Sequence, residues 1–251
     1  MKSKKSLGQN FFVNKNLCNQ IAEIIVKEDP DVIVEIGPGR GTFTSSIREI
    51  YKGDMILIEK DDFLAKELRM FMPDLKILNI DFLDWDFIEL EKYKDNKILF
   101  WGSLPYNVSK PIIRKVVSSK YFLSTSYFII QKEVAEKYIS KDPNNNLLSI
   151  QTSIYAYTKK LFDISPNSFN PKPKVNSSFI SFTPKGGISE SLKGEKFSAF
   201  LQNSFKQPRK TVRNNLHNIT FKNESIVEEL LNKRPQHLSL DDYSLLFSKV
   251  I

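Results

Sequence analysis

This 251-residue sequence predicts an α/β protein: an open, parallel, doubly wound sheet followed by a smaller helical domain. Three observations point there. Between residue 32 and about residue 131, short β-branched apolar runs alternate with stretches of helical periodicity, as in strands joined by crossover helices. The first run, Val32-Ile33-Val34-Glu35-Ile36, breaks into Gly37-Pro38-Gly39-Arg40-Gly41, so three of the nine glycines end one strand. A buried strand ends this way where a ligand must touch backbone. Beyond residue 196 the apolar spacing is helical throughout.

Composition narrows the function. With 41% hydrophobic residues the chain can fill a core, and Lys+Arg 37 against Asp+Glu 29 leaves a net charge of +8. That balance suits a polyanionic partner, and equally a lysine-rich soluble protein. One cysteine, Cys18, forms no internal disulfide and implies a reducing compartment. The two histidines, His217 and His237, assemble neither a zinc site nor a Cys–His dyad, so no metal is expected. The basic start Met1-Lys2-Ser3-Lys4-Lys5 leads into no apolar signal core, and no run approaches the ~20 apolar residues of a membrane span. A cytoplasmic location, without membrane contact, is expected.

Taken in order, Asn14 caps a helix whose Leu17, Ile21, Ile24 and Ile25 share a face before Pro30 stops it. The strand 32–36, the glycine loop and a helix opening at Thr42 form a unit whose helix-start N–H groups face a ligand, a nucleotide-type pocket. The dinucleotide fingerprint G-x-G-x-x-G fails, because Thr42 stands where its third glycine belongs. The pattern present is E-x-G-x-G-x-G, with Glu35 two residues before Gly37. Strand 55–58 ends in Glu59, next to Lys60, a carboxylate placed to accept from both ribose hydroxyls. Strand 76–80 ends in Asp81, next to Phe82, a candidate acceptor for an adenine amino group. Each has a plainer reading, the loop as a turn and each acid as a helix cap. In register at successive strand ends they describe one rim, where open α/β sheets bind ligands.

Asp61 caps the helix carrying Leu64 and Leu68. Strand 97–101 runs into Gly102-Ser103-Leu104-Pro105-Tyr106-Asn107, and Ser109 is expected to cap the helix that follows, with Pro111 in its first turn. A further strand, 127–130, leads to Gln131-Lys132-Glu133-Val134. Residues 163–178 read as a proline-stiffened loop before strand 179–182. Residues 185–196 read as a linker, which divides the chain into domains 1–185 and 186–251. In the second domain Ser239 and Asp242 make a capping box, and Lys206, Arg209, Lys210 and Arg213 crowd one segment without an acid. Such a run is ordinarily a solvated face; beside a base-binding edge it suits an RNA backbone.

The segments LGQNFF, VEIGPGRGTFT, IEKD, SLPYN, QKEV, FNPKPKVNSSFI and FKQPRKTVRNNL, in this order, resemble the KsgA-type ribosomal RNA adenine N6,N6-dimethyltransferases over nearly the whole chain. The resemblance implies a Rossmann-like class I methyltransferase sheet, mostly parallel with a C-terminal antiparallel hairpin, and S-adenosyl-L-methionine (AdoMet) as cofactor. It implies that Gln9, Asn10, Phe12, Glu35, Gly37, Gly39, Gly41, Glu59, Lys60, Asp81, Phe82 and Ser103 form the AdoMet site. It further implies that Ser103, the Leu104 carbonyl, Pro105, Tyr106 and Phe169 hold a flipped adenine, with Lys172 and Lys174 on phosphates. The implied partner is small-subunit rRNA in an immature ribosomal subunit, met by a monomer. The family carries Asn or Asp where this chain has Ser103, which keeps a non-catalytic AdoMet-binding assembly factor as an alternative. The Erm enzymes of large-subunit RNA are a second alternative, disfavoured because FKQPRKTVRNNL resembles a KsgA signature.

Overall fold

A computed structural model describes residues 10–187 and 189–251; Gln9 lies outside the described residues. The chain divides into two compact units, one of residues 1–135 and 159–184, the other of 136–158 and 185–251. This division differs from a single cut at 185/186: segment 136–158 groups with the C-terminal helices, although its last residues, 156–158, open a strand of the sheet.

The first unit begins with β1 (Phe11–Phe12) and α1 (Lys15–Val26). The Asn14 side chain accepts from the Leu17 N–H and caps α1, which buries Cys18, Ile21, Ala22 and Ile25. Then β2 (Val32–Ile36), α2 (Thr42–Ile50), β3 (Asp54–Ile58), α3 (Asp62–Phe71), β4 (Lys76–Leu78), β5 (Ile98–Ser103), α4 (Ser109–Val117) and β6 (Ser126–Gln131) follow in alternation. Asp61 caps α3 as expected, accepting from the Phe63 and Leu64 N–H groups. Ser109 does not cap α4: it is the first helical residue, and its hydroxyl donates to the Tyr106 carbonyl at 3.3 Å.

After α5 (Lys132–Tyr138) and α6 (Leu147–Ser153) the chain returns as β7 (Ala156–Ile164), β8 (Phe169–Asn170) and β9 (Ser177–Pro184). The seven-stranded sheet has the order β4-β3-β2-β5-β6-β9-β7. Strands β4 to β6 pair in parallel, and β9 is antiparallel to β6. Chain order reverses between β2 and β5, so the loops after them flank the crevice at the switch point. No residue pattern marked strand β7, although the resemblance implied a C-terminal antiparallel hairpin; it lies at the sheet edge beside β9, and only Ala156 and Ile164 in it are buried.

A line of aromatic rings holds the switch point from below. Phe12 lies 4.6 Å from Phe43 on α2, Phe43 lies 4.7 Å from Trp101 on β5, and Trp101 lies 6.5 Å from Phe179 on β9. Each is buried, and tilted or edge-on rings in contact add about 0.5–1.5 kcal/mol beyond the area they bury.

In the second unit α7 (Glu190–Lys193) and α8 (Glu195–Ser204) precede α9 (Val212–Asn215), α10 (Glu228–Asn232) and α11 (Leu240–Ser248). Ile150 and Ile154 share one apolar core with Phe197, Phe200, Tyr243 and Leu246. Asn145 adds two hydrogen bonds, from its N–H to the Gln236 carbonyl and from its side chain to the Leu238 carbonyl. These contacts assign segment 136–158 to this unit. The Ser239–Asp242 capping box forms at the start of α11. No helix among the described residues is long and apolar enough to cross a membrane.

Gly102 sets the spacing of β2 and β5. A Cβ there would lie 2.6 Å from the Ile36 carbonyl oxygen and 2.9 Å from Leu104 Cδ2. Gly102→Ala must push the strands apart, and is expected to lower stability by about 1–3 kcal/mol, read as a fall of several degrees in the unfolding midpoint. An unchanged midpoint would contradict this packing.

Candidate active site

The loops after β2, β3, β4 and β5 enclose a cleft of ≈ 270 Å³ at the carboxyl edge of the sheet. Gly37, Gly39 and Gly41 all have positive φ, at 68°, 60° and 73°. For Gly37 and Gly39 that conformation turns the chain out of β2 along the cleft wall, at a backbone angle other residues rarely adopt. A Cβ on Gly39 would also meet the Phe11 ring at 3.5 Å.

Of the expected cofactor residues, Asn10, Gly37, Gly39, Glu59, Lys60, Asp81, Phe82 and Ser103 line the cleft. Glu59 is nearly buried; its Oε2 accepts from the Gly39 N–H at 3.0 Å and its Oε1 from the Asp61 N–H at 2.8 Å. Burial raises its pKa, and those two bonds oppose the rise. Each oxygen keeps further acceptor capacity for hydroxyl groups. Asp81 accepts from Lys60 Nζ at 2.6 Å and from the Leu83 N–H at 2.9 Å. Lost hydration works to raise its pKa, but the bonds from Lys60 and Leu83 hold it below the usual carboxylate range.

Three expected members do not line the cleft. Glu35 lies behind the wall, 2% exposed, where its carboxylate accepts from the Thr44 hydroxyl at 2.7 Å. Burial pushes its pKa up to about 7, against the opposing Thr44 bond. Its neighbour Ile36 lines the cleft, and successive strand side chains point to opposite faces, so Glu35 faces α2 and holds Thr44 there. Gly41 turns the chain into α2 against Leu68 and Met72. Phe12 packs against Phe43 and, edge-on at 4.9 Å, against Phe169.

The second wall comes from the end of β5. Ser103, Leu104, Pro105 and Tyr106 all line the cleft, with Asn107 beside them. The Leu104 N–H donates to the Ile129 carbonyl at 3.0 Å, which anchors the loop to β6. Among the described residues nothing donates to the Leu104 carbonyl, and the Ser103 hydroxyl has no partner, so both acceptors are open. The Tyr106 hydroxyl lies 2.9 Å from Ser177 Oγ on β9, which fixes the ring; burial raises its pKa. Phe169 is 4% exposed and reaches the cleft from β8. Strand β8 pairs with β1, Phe11 opposite Asn170 and Phe12 opposite Phe169, so the segment over the glycine loop and the aromatic wall move together.

Sequence reasoning missed Asp61, Asn107 and an apolar lining that includes Ile36, Ile58, Leu64, Ile80 and Ile112. The strand-end positions of Ile36, Ile58 and Ile80 were the available signal, since residues leaving parallel strands face the crevice. It also missed Lys115 on α4, which donates to the Leu83 carbonyl at 2.7 Å and to the Trp85 carbonyl. Its ammonium sits 5.2 Å from the Phe87 ring centroid and 5.7 Å from that of Phe82. Partial burial lowers its pKa. Lys115 thus ties the loop bearing Asp81 and Phe82 to the helix behind Tyr106.

The expected RNA contacts Lys172, Lys174, Lys206, Arg209 and Lys210 are exposed and outside the cleft. Arg213 is half-buried, ion-paired with Glu224 and bonded to Asn232 at 3.2 Å.

The cleft sets two strand-end carboxylates opposite two unengaged acceptors and an aromatic wall, a lining suited to a nucleoside on one side and a planar amine on the other. The chain belongs to the ribosomal RNA adenine dimethylase family, whose model matches residues 1–243. Similar proteins include the ribosomal RNA small subunit methyltransferase A of Pelagibacter ubique, 34% identical over 97% of this chain and 95% of that protein. That of Malacoplasma penetrans is 35% identical over 96% and 89%. Among solved structures, a dimethyladenosine transferase from Plasmodium falciparum superposes with a TM-score of 0.77 at 21% identity, covering 94% of this chain and 95% of that one. The 23S rRNA methyltransferase ErmE gives 0.72 at 18%, covering 95% and 98%. At these identities the two structures speak for the fold.

Lys115→Met removes both carbonyl contacts while keeping the aliphatic stem. Amide hydrogen exchange across residues 81–87 is expected to speed up about tenfold or more with β2 unchanged, since a charged hydrogen bond contributes about 1.5–3 kcal/mol. Lys115→Arg should recover part of the protection. Equal exchange in Lys115→Met and the wild type would remove Lys115 from this role.

Proposed function

We propose that this protein dimethylates the N6 amino groups of two adjacent adenosines near the 3′ end of small-subunit (16S) rRNA. It does so as a cytoplasmic monomer, in ribosome biogenesis, on an immature subunit. The observation that carries this is the pair of open acceptors, the Ser103 hydroxyl and the Leu104 carbonyl, beside Tyr106 in a cleft whose other half suits a nucleoside. Nearly full-length similarity to small-subunit methyltransferases supports the choice of RNA over the Erm alternative.

The cleft residues fit AdoMet. Glu59 offers carboxylate oxygens for ribose hydroxyls, Asp81 an acceptor for an adenine amino group, and Ile58, Ile80 and Phe82 an apolar bed for the purine. Gly37 has nothing within 4 Å of where a Cβ would stand, which leaves room for a ligand against the backbone. When bound, AdoMet supplies a methyl group on a sulfonium, already electrophilic.

The chain's own work is on the acceptor. An adenine N6 lone pair is delocalised into the ring and barely nucleophilic. Ser103 and Leu104 accept the N6 hydrogens, two before the first transfer and one before the second, and favour a pyramidal nitrogen, while Tyr106 and Phe169 hold the extruded base; N6 gives up one proton to solvent for each methyl it gains, so no strong base is needed beforehand. The Ser177 hydroxyl holds the Tyr106 ring in place. Lys172 and Lys174 meet the phosphates of the incoming strand, as do Lys206, Arg209 and Lys210.

Incubation with labelled AdoMet and small subunits from cells lacking these modifications tests the proposal. Two methyl groups on each of two adenosines are expected. Tyr106→Ala should lower kcat/KM about 10- to 100-fold with AdoMet affinity unchanged, because stacking on one base contributes about 1–3 kcal/mol. A folded, AdoMet-bound wild type that transfers nothing to adenine would reject the proposal in favour of the non-catalytic assembly factor. In that case Ser103→Asn should create turnover.

A further inference from the structure

The C-terminal unit holds a second concavity, of ≈ 130 Å³, at the end of α8 and around α9. Its lining includes Asn203, Lys206, Gln207, Asn214, His217 and Asn218, and no carboxylate. The turn that forms one side is held from within by a single side chain. Asn215 Oδ1 accepts from the Gln207 N–H at 2.8 Å, and its Nδ2 donates to the Gln207 carbonyl at 3.0 Å and the Thr211 carbonyl at 3.1 Å. The Thr211 hydroxyl in turn accepts from the Asn214 N–H at 3.3 Å. His217 Nδ1 lies 3.1 Å from the Asn214 carbonyl; a carbonyl only accepts, so Nδ1 is the donor of this bond.

The remaining polar side chains are not committed. Among the described residues, those of Asn203, Lys206, Asn214 and Asn218 make no hydrogen bond or ion pair. Arg209 and Lys210 stand exposed on the same turn. A run of cations that served only solubility would not need its turn pinned by three hydrogen bonds. Carboxamides present a donor and an acceptor in one plane, which matches the edge of a nucleobase, whereas lysine meets a phosphate as a point charge. Sequence-dependent RNA recognition uses unpaired bases read at their edges in this way.

We infer that this concavity receives the edge of one unpaired base of the substrate RNA, between Asn214 and Asn218, with an adjoining phosphate at Lys206. The inference rests on the rRNA-methyltransferase reading and adds to its phosphate contacts a contact with a second base, distinct from the adenine that is methylated. Asn215 is the positioning residue of this site.

Binding of the full-length protein to small subunits lacking the modification, measured across a salt series, tests this. Asn214→Ala and Asn218→Ala are each expected to weaken binding about tenfold without changing the salt slope, the mark of a lost base contact. Lys206→Ala should lower the slope by about one ion. Unfolding midpoints and AdoMet affinity stay at wild-type values, because all three side chains are exposed. Wild-type binding by both asparagine variants, with methyl transfer intact, overturns the base site alone. A loss that appears only as a changed salt slope overturns it too, since it reports a phosphate contact. A wild-type protein that neither binds nor methylates the subunits overturns this inference and the function it rests on together.

Discussion

The close approach of β2 and β5 is the constraint on which the rest depends. The two strands run parallel from Val32 opposite Ile98 to Glu35 opposite Trp101, and one ends in the glycine loop, the other in Ser103-Leu104-Pro105-Tyr106. Any side chain at Gly102 would collide with the Ile36 carbonyl, so the strands stay close enough for both loops to wall one cleft. Buried rings enforce this from below, because Trp101 touches Phe43 on one side and Phe179 on the other. Transfer between two bound molecules needs the reacting atoms close and aligned, and a rigid sheet edge meets that need better than a mobile loop.

Around that rim the side chains are fixed by partners that do not themselves face a ligand. Glu35, with its pKa near 7, holds Thr44 at the start of α2. Lys115 holds the loop of Asp81, and Ser177 holds Tyr106. The β1–β8 pairing links the segment over Gly39 to Phe169, while Arg40 lies 4.6 Å over the Phe11 ring. Loss of order in the N-terminal segment would therefore disturb both walls at once.

Much of the fold was legible because buried parallel strands are apolar on both faces and end in glycine or acid. The runs at 32–36, 55–58 and 97–101 announce themselves for that reason, as do the caps Asn14, Asp61 and Ser239. Strand β7 stayed hidden because Tyr157-Thr158-Lys159-Lys160 lies on an edge, where burial leaves little imprint. The membership of 136–158 in the helical unit depends on Ile150, Ile154 and Asn145 meeting residues about 50 to 90 positions later, a contact no local pattern encodes. Spacing brought Glu35 and Gly41 into the expected site, but spacing does not say which face of the strand or turn they take. Arg213 looked like its basic neighbours; only the fold reveals that Glu224 neutralises it.

Continuity of the two halves of the cleft is the central claim, and a bisubstrate analogue tests it most directly. In such a compound an adenosine is joined through N6 to the sulfur-bearing arm of an AdoMet-like nucleoside. One cleft walled by Gly37 on one side and Tyr106 on the other predicts binding at least about 100-fold tighter than either half alone, because the second half binds at high effective concentration. Affinity no better than that of the stronger half would mean that donor and acceptor do not meet between these two loops.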